Sequence, residues 1–263
     1  MLSLNAVVAM KKLYDPIKLS KATELVVVRG ERRKYYRVAR GGKWYGGIAT
    51  ADCCGCNLRC IYCWSGEPRD HPERVGRFYT PEEIFKALDQ VARRRGYHQV
   101  RVSGNEPTIG RDHLLKLLDL VDQTNYTFIL ETNGILIGHD KSYAHDLAKY
   151  RCLHVRVSIK AATPQQFSQL TGAVPEGFEL QLKALEHLVD AGVPCHPAVM
   201  LSFSTKGEFK QLVARIVEIE PSLLREIEAE YVFLYPHVAE RLKKAGIKPY
   251  TAFTPDNIPA ALI

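Results

Sequence analysis

The chain has 263 residues, of which 46% are hydrophobic and 25% are charged, a balance typical of a globular protein with a buried core. No apolar run is as long as a membrane span, and residues 1–10 lack the charged start of a signal peptide. The formal net charge is +7, and residues 1–50 account for it with 11 Lys and Arg against three acidic residues. These properties exclude a membrane-embedded protein and predict no membrane partner.

The first 43 residues are predicted to form a small basic β extension. Residues 24–28 and 33–38 have the composition of two antiparallel strands joined by a turn. Seven Lys and Arg residues lie between positions 29 and 43 and alternate with two tyrosines. They are either a solvated strand face or a footprint for nucleic acid, and the sequence leaves both interpretations open.

From residue 44 to residue 263, strand-like and helix-like segments alternate. Six strands are predicted, at residues 44–52, 98–102, 126–130, 153–159, 196–201 and 227–234. Helices are predicted at residues 81–96, 111–123, 140–149, 177–191, 206–219 and 237–245, with another beginning at Thr163. Such alternation favours a parallel sheet, and six units predict an α/β fold, a partial (βα)6 TIM-like barrel.

The predicted barrel brings several polar segments to one end. Active sites of such barrels lie at the C-terminal ends of the strands. The segments that follow strands are a cysteine-rich loop, Ser103–Pro107, Glu131–Gly134, Ser158–Lys160 and Tyr235–His237. We therefore expect the active site among these segments.

The cysteine-rich loop contains Cys56, Cys60 and Cys63 in the spacing C-x3-C-x2-C. This spacing does not place three thiols on one face of a helix or strand, but a loop can wrap them around three corners of an iron–sulfur cube. Such clusters normally have four cysteine ligands. A loop with three cysteines would therefore leave one iron free to bind a substrate or a cofactor.

Two other kinds of metal site compete with this interpretation of the cysteines. A zinc site needs a second pair of ligands, and the sequence contains no further pair at zinc-binding spacing. Cys53 precedes Cys56 in C-x2-C spacing and could be a fourth cluster ligand, as in a ferredoxin-like electron carrier. The local spacing leaves this second alternative open.

The motif C-x3-C-x-Φ-C, with Tyr62 at the aromatic position Φ, resembles the signature of the radical S-adenosylmethionine (SAM) superfamily. The resemblance implies a 4Fe-4S cluster, held by Cys56, Cys60 and Cys63, whose open iron binds SAM. It also implies reductive cleavage of SAM to a 5′-deoxyadenosyl radical, which abstracts a hydrogen atom from a substrate.

Residues 45–246 resemble the short activating-enzyme branch of this superfamily, which includes the pyruvate formate-lyase activating enzymes. The resemblance implies an oxidoreductase that acts on a protein such as a glycyl-radical enzyme, with ferredoxin or flavodoxin as electron donor. A tRNA or a peptide is the alternative substrate. A cluster-binding loop also fits a reducing compartment, so we expect a cytoplasmic protein.

Motifs at the strand ends extend the resemblance to the SAM site. Gly104-Asn105-Glu106-Pro107 resembles G-G-E-P, whose backbone holds the SAM amino group, with Asn105 in place of glycine. A backbone contact tolerates Asn105 if the φ/ψ angles there suit asparagine, which accepts a positive φ more readily than most residues. Ser158-Ile159-Lys160 resembles D-L-K and implies Lys160 at the SAM carboxylate and Ser158 at the ribose.

The resemblance thus assigns a complete set of residues to SAM. They are Tyr62, Trp64, Gly104, Asn105, Glu106, Glu131, Thr132, Asn133, Ser158, Lys160 and His237. It assigns no catalytic side chain and does not identify the substrate hydrogen. Cys152 and Cys195 fall at strand starts, where we expect core residues.

Overall fold

The computed structural model describes residues 12–259. Its helices are α1 (Pro16–Val27), α2 (Gly66–Asp70), α3 (Pro81–Arg95), α4 (Arg111–Val121), α5 (Ile135–His139), α6 (Lys141–Leu147), α7 (Pro164–Thr171), α8 (Glu176–Asp190), α9 (Lys206–Ile219) and α10 (Pro236–Lys244). Its strands are β1 (Val28–Arg29), β2 (Arg32–Gly42), β3 (Ile48–Cys53), β4 (Arg77–Tyr79), β5 (Gln99–Ser103), β6 (Thr127–Thr132), β7 (Leu153–Ile159), β8 (Cys195–Met200), β9 (Glu228–Glu230), β10 (Val232–Phe233) and β11 (Ala252–Phe253).

Six strands form one parallel sheet, which confirms the predicted partial (βα)6 barrel. Their order is β3-β5-β6-β7-β8-β9, and each strand pairs in parallel with the next. At the β3 edge, β2 pairs antiparallel with β3, and both β1 and β4 pair antiparallel with β2. The last predicted strand, residues 227–234, is divided into β9 and β10, and β10 pairs with β11.

The strand predicted at residues 24–28 is wrong, because α1 extends to Val27. Asp15 caps this helix, with its side chain accepting hydrogen bonds from the N–H groups of Ile17 and Lys18. Valines at the end of α1 favour a strand locally, but Val27 packs against Cys54 and Ile109 in the folded chain. The division at residue 44 into an extension and a barrel stays a prediction, although β2 continues the sheet of the barrel.

The helix predicted after Thr80 is confirmed and begins with a complete capping box. Thr80 Oγ1 accepts a hydrogen bond from Glu83 N at 3.3 Å, and Glu83 Oε2 accepts one from Thr80 N at 2.7 Å. Gly96 ends α3 with a φ of 68°. Local sequence therefore determines both ends of this helix.

The interior of the barrel is polar, although the cores of closed barrels are packed mainly with branched apolar residues. Alternate residues of a strand lie on the same face, and the inward faces of β5 and β7 carry Arg101, Ser103, Arg156 and Ser158. Arg101 Nε donates to Thr50 Oγ1 on β3 at 2.9 Å. Apolar residues instead fill the layer between the sheet and the helices. Within residues 12–259, no helix has the length and apolar character needed to cross a membrane.

Candidate active site

A cavity of about 400 Å³ lies at the C-terminal ends of the parallel strands. This volume is within the usual range of ligand pockets. The three cysteines of the loop line it, and so does every residue assigned to SAM from the sequence except His237. The fold therefore brings together segments that are far apart in the sequence.

Backbone hydrogen bonds fix the start of the cysteine loop. Cys54 N donates to Lys34 O, Gly55 N donates to Pro68 O, and Gly55 O accepts from Glu106 N, all at 2.9–3.1 Å. Gly55 has a φ of +80°, and an added Cβ would lie 2.6 Å from a methyl group of Thr23. Glycine is therefore required where the chain leaves β3.

The middle of the loop is held by groups outside the barrel strands. Tyr14 Oη accepts a hydrogen bond from Arg59 N at 2.7 Å, and Ile61 N donates to Leu170 O at 2.8 Å. The loop is therefore held between Tyr14, which precedes α1, and Leu170 on α7.

Two N–H groups point at the sulfur of Cys56. Leu58 N lies 3.3 Å from Cys56 Sγ, and Asn133 Nδ2 lies 3.8 Å from it. Burial raises the pKa of the Cys56 thiol, and Glu106 raises it further. Burial also raises the pKa of Cys60, although Lys160 opposes this effect. A positively charged metal centre would offset the cost of ionising these thiols.

Cys53 is not placed to be a fourth ligand. It ends β3 on the face opposite to Asp52, is fully buried among apolar residues such as Ala51, and does not line the cavity. Burial raises the pKa of its thiol to about 11. The cavity is thus lined by three cysteines of the loop, and Cys53 is not among them.

The structure places a positive φ at Gly104 and not at Asn105. Gly104 has a φ of +97°, and an added Cβ would lie 2.9 Å from Asp52 Cβ. Tyr45 is the one non-glycine residue with positive φ in the part of the chain that the structure describes, so Asn105 does not adopt the left-handed conformation, and its contact with SAM stays a prediction. Asn105 Nδ2 instead donates to Cys53 O at 2.9 Å.

A family model described as the radical SAM superfamily matches residues 52–216, more than half of the chain. This chain belongs to the radical SAM superfamily. Its cofactors are therefore SAM and a 4Fe-4S cluster, as the sequence predicted.

Curated relatives are similar over part of their length. Proteins named probable GTP 3',8-cyclase from Saccharolobus solfataricus and Thermococcus kodakarensis are 26% and 28% identical, with 64% and 73% of this chain aligned. A 7-carboxy-7-deazaguanine synthase from Methanothermobacter thermautotrophicus is 25% identical over 62% of this chain. The aligned part covers 50%, 64% and 65% of these three relatives, so the chain spans about half to two thirds of their length.

Solved structures support the same fold. Streptococcus suis SuiB bound to S-adenosylmethionine has a TM-score of 0.56 and 20% identity, covering 69% of this chain and 39% of SuiB. A spore photoproduct lyase mutant has a TM-score of 0.53 and 15% identity, covering 85% of this chain and 64% of that one. At these identities the likeness concerns the fold alone.

The residues around the cavity fit a cluster better than a single metal ion. No three His, Cys, Asp or Glu residues between positions 12 and 259 are grouped around one ion site. Three thiols along one cavity suit a cluster, since its ligands bind different iron atoms. Two buried polar atoms near them, Asn57 Nδ2 and Asn105 Oδ1, have no hydrogen-bond partner in the protein. Such atoms in a native site are commonly satisfied by a bound group.

Glu106 joins two strand ends through its carboxylate. Thr108 Oγ1, Thr132 Oγ1 and Asn133 N donate to it at 2.6, 2.7 and 2.8 Å. Both carboxylate oxygens are therefore occupied by protein donors. Glu106 organises the loops after β5 and β6, and its contact with SAM stays a prediction.

Gln181 on α8 was missed in the sequence, because a single glutamine on an amphipathic helix carries no motif. It is fully buried, and its Nε2 lies 2.7 Å from both Asn133 O and Ser158 O. Its Oε1 accepts a hydrogen bond from Lys160 N at 3.1 Å. Gln181 therefore ties together two segments that the sequence assigned to SAM.

Glu131 and Ser158 are paired with arginines that the sequence did not single out. Glu131 pairs with Arg101 and accepts a hydrogen bond from Ser103 at 2.6 Å. Burial works to raise the pKa of Glu131, but Arg101 and Arg156 outweigh it and the pKa is lowered. Ser158 Oγ accepts from Arg156 at 3.0 Å. Only the register of the sheet brings these groups together.

Lys160 and Tyr62 meet at the wall of the cavity. The Lys160 ammonium forms no ion pair with any residue from 12 to 259, so its charge is available to a ligand. Tyr62 Oη donates to Lys160 O at 3.1 Å, and its ring stacks on Phe203. Tyr62 therefore packs against the wall and positions Lys160.

His237 does not line the cavity, and its contact with SAM stays a prediction. Its Nε2 is 3.0 Å from the carbonyl oxygen of Trp64. Trp64 lines the cavity and is 39% exposed. His237 thus contacts the segment that carries Trp64.

Three of the basic residues between positions 29 and 43 form neither a solvated strand face nor a footprint for nucleic acid. Arg33 is 1% exposed and its Nε donates to Ile109 O at 2.6 Å. Lys34 Nζ donates to Pro72 O at 2.6 Å, and Arg40 forms two hydrogen bonds to Asp52. The side chains of these three residues are used in hydrogen bonds within the protein.

Proposed function

We propose that Cys56, Cys60 and Cys63 ligate the 4Fe-4S cluster and that SAM binds in the adjoining cavity. The observation that carries the proposal is that these three thiols line the same cavity as the motif residues at four strand ends. When bound, the cluster and SAM supply one-electron chemistry that removes a hydrogen atom from a substrate. Cytoplasmic location and ferredoxin or flavodoxin as electron donor belong to the same proposal.

Side chains of the cavity hold and orient SAM in this proposal. Lys160 supplies a cation for its carboxylate, and the backbone at Gly104 contacts its amino group. Asn105 Oδ1 is a buried acceptor without a partner beside this loop. An ammonium group would satisfy it.

The test compares two cysteine variants after anaerobic reconstitution with iron and sulfide. Cys60→Ala should lose most of the bound iron and form no 5′-deoxyadenosine with dithionite and SAM. Cys53→Ala should keep about four iron atoms per chain and retain SAM cleavage. Loss of the cluster in Cys53→Ala, with SAM leaving the wild-type spectrum unchanged, would instead support a four-cysteine electron carrier.

For the substrate, we propose a small, planar, anionic molecule. Asp52 is fully buried and already held by Arg40 at 2.8 and 3.0 Å. Arg37 lies 3.5 Å from the same carboxylate with its side chain 50% exposed, so most of its guanidinium remains for a ligand. Guanidinium groups bind carboxylates and phosphates through paired hydrogen bonds.

Aromatic side chains line the same cavity as Arg37. They are the half-buried rings of Trp44, Tyr45, Tyr231, Phe233 and Tyr235. Exposed aromatic faces stack on planar rings such as nucleobases. The names of the relatives, which include GTP and a deazaguanine, are consistent with this chemistry.

Equilibrium dialysis of the SAM-loaded protein with GTP and with neutral guanosine tests the substrate proposal. Arg37→Gln should weaken GTP binding about tenfold or more, because a charge-assisted hydrogen bond is lost. It should affect guanosine less. Arg32→Gln removes an exposed charge of β2 outside the cavity and should have no effect. Equal losses in both variants, or no binding of either ligand, would reject the proposal.

A protein is the second candidate substrate, as the resemblance to activating enzymes implies. Trp64 is an exposed aromatic residue beside Cys63, and a neighbouring structure is described as SuiB bound to precursor peptide SuiA. A deuterated host extract, divided by dialysis into small and large molecules, separates the candidates. Deuterium in 5′-deoxyadenosine from the large fraction would favour a macromolecule, and RNase treatment would distinguish protein from RNA.

A further inference from the structure

Each cysteine of the proposed cluster loop has its carbonyl oxygen bound by an arginine. Arg59 Nη1 donates to Cys56 O at 2.6 Å. Arg69 Nη1 donates to Cys60 O, and Arg241 Nη2 donates to Cys63 O. The sequence did not indicate this arrangement, because the three arginines come from the loop itself, from α2 and from α10.

These three guanidinium groups carry more positive charge than their neighbours neutralise. Asp70 pairs with Arg69 at 2.6 and 2.8 Å and with Arg59 at 3.4 Å. Arg241 forms no ion pair within residues 12–259, and its Nε is a buried donor without a partner. Burial and the neighbouring Arg69 lower the pKa of Arg241, so its charge is held at a cost. One carboxylate therefore faces three cations.

We propose that Arg59, Arg69 and Arg241 position the cluster loop and make the cluster easier to reduce. Thiolate ligands leave a 4Fe-4S cluster negatively charged, and an added electron increases that charge. Fixed cations next to the ligand backbone stabilise the reduced form more than the oxidised form. The arginines are positioning residues, because they act through the carbonyls of the cysteines. This inference rests on the proposed cluster ligands.

The test measures the reduction potential of the cluster in the reconstituted full-length protein, by a redox titration followed with electron paramagnetic resonance. Arg241→Gln should keep the iron content but lower the ratio of reduced to oxidised cluster at a fixed potential by about tenfold, which corresponds to 59 mV for one electron. Arg241→Lys should restore most of that ratio, because it restores the charge. Lys243→Gln removes an exposed charge from the same helix and should leave the ratio unchanged.

Arg59→Gln provides an independent test if Arg241→Gln does not fold, since Arg59 lies on a different segment. A loaded cluster whose potential is unchanged in these variants would overturn the inference and leave the proposed function intact. An equal shift in Arg241→Lys and Arg241→Gln would show that charge is not the cause, which also overturns it. A wild-type chain that takes up no cluster would overturn both proposals.

Discussion

Single buried side chains hold the strand ends in place around the cavity. Glu106 collects donors from two loops, and Gln181 bridges the segments after β6 and β7. Neither residue needs to touch a substrate to matter, because each fixes backbone groups that line the cavity. Loss of a buried hydrogen-bonding group of this kind usually costs about 1–3 kcal/mol for each partner left unsatisfied.

His113 makes the stability of the protein depend on pH. It is buried, with its ring nitrogens 2.9 Å from Tyr35 Oη and 2.8 Å from Glu31 O. Burial lowers its pKa from 6.5 to about 4. Its contribution is therefore complete above pH 6.5 and is lost as the pH falls towards 4, because the unfolded chain binds the proton first.

We expect this loss to be about 3 kcal/mol in the free energy of unfolding. Denaturant unfolding at a series of pH values measures it in wild type and in His113→Gln. The variant should show a flatter dependence over this interval. His139→Gln, which changes an exposed histidine, should keep the wild-type slope. A wild-type slope in His113→Gln would contradict the assignment.

At the scale of secondary structure, two helices approach so closely that only glycine fits between them. A Cβ added to Gly138 on α5 would overlap the carbonyl of Leu180 on α8. Since that obstacle is backbone, Gly138→Ala should force the helices apart. We expect the free energy of unfolding to fall by about 2–3 kcal/mol, as in other overpacked sites, measured by denaturant unfolding.

Gly207→Ala is the matched control for this substitution. Gly207 lies on α9, where the nearest atom to an added Cβ is 3.9 Å away. Alanine should there be neutral or stabilise the protein by up to about 1 kcal/mol, because it restricts the unfolded chain. Equal stability of both variants would show that α5 and α8 separate without cost.

The predicted elements were most accurate where local chemistry determines them. Helices α3 and α9 were both predicted, and each begins with a capping box, at Thr80 and at Thr205. Valines near position 26 predicted a strand, but Asp15 caps a helix that ends at Val27. The local preferences for a strand and for a helix differ little in free energy here, so packing of the folded chain determines which one forms.

At the scale of the whole molecule, the topology explains why part of the candidate site could be predicted. Cys56, Cys60 and Cys63 form a motif within one loop, so spacing alone revealed them. Arg101 and Arg156 carry no local signal, because their partners lie on other strands of the sheet. Site residues can be predicted from a sequence when they are adjacent in it. They are difficult to predict when only the pairing of strands in the sheet brings them together.

The contact of Arg241 with the carbonyl of Cys63 joins positions 178 residues apart. Ribosomes extrude a polypeptide from its N-terminus, so the cysteine loop emerges long before α10 is synthesised. We expect ribosome-bound chains stalled before residue 236 to lose bound iron to a chelator faster than chains stalled in a linker added after residue 263. Equal rates of iron loss would contradict this expectation. Metal insertion in the cell would then follow translation of the helix that carries Arg241.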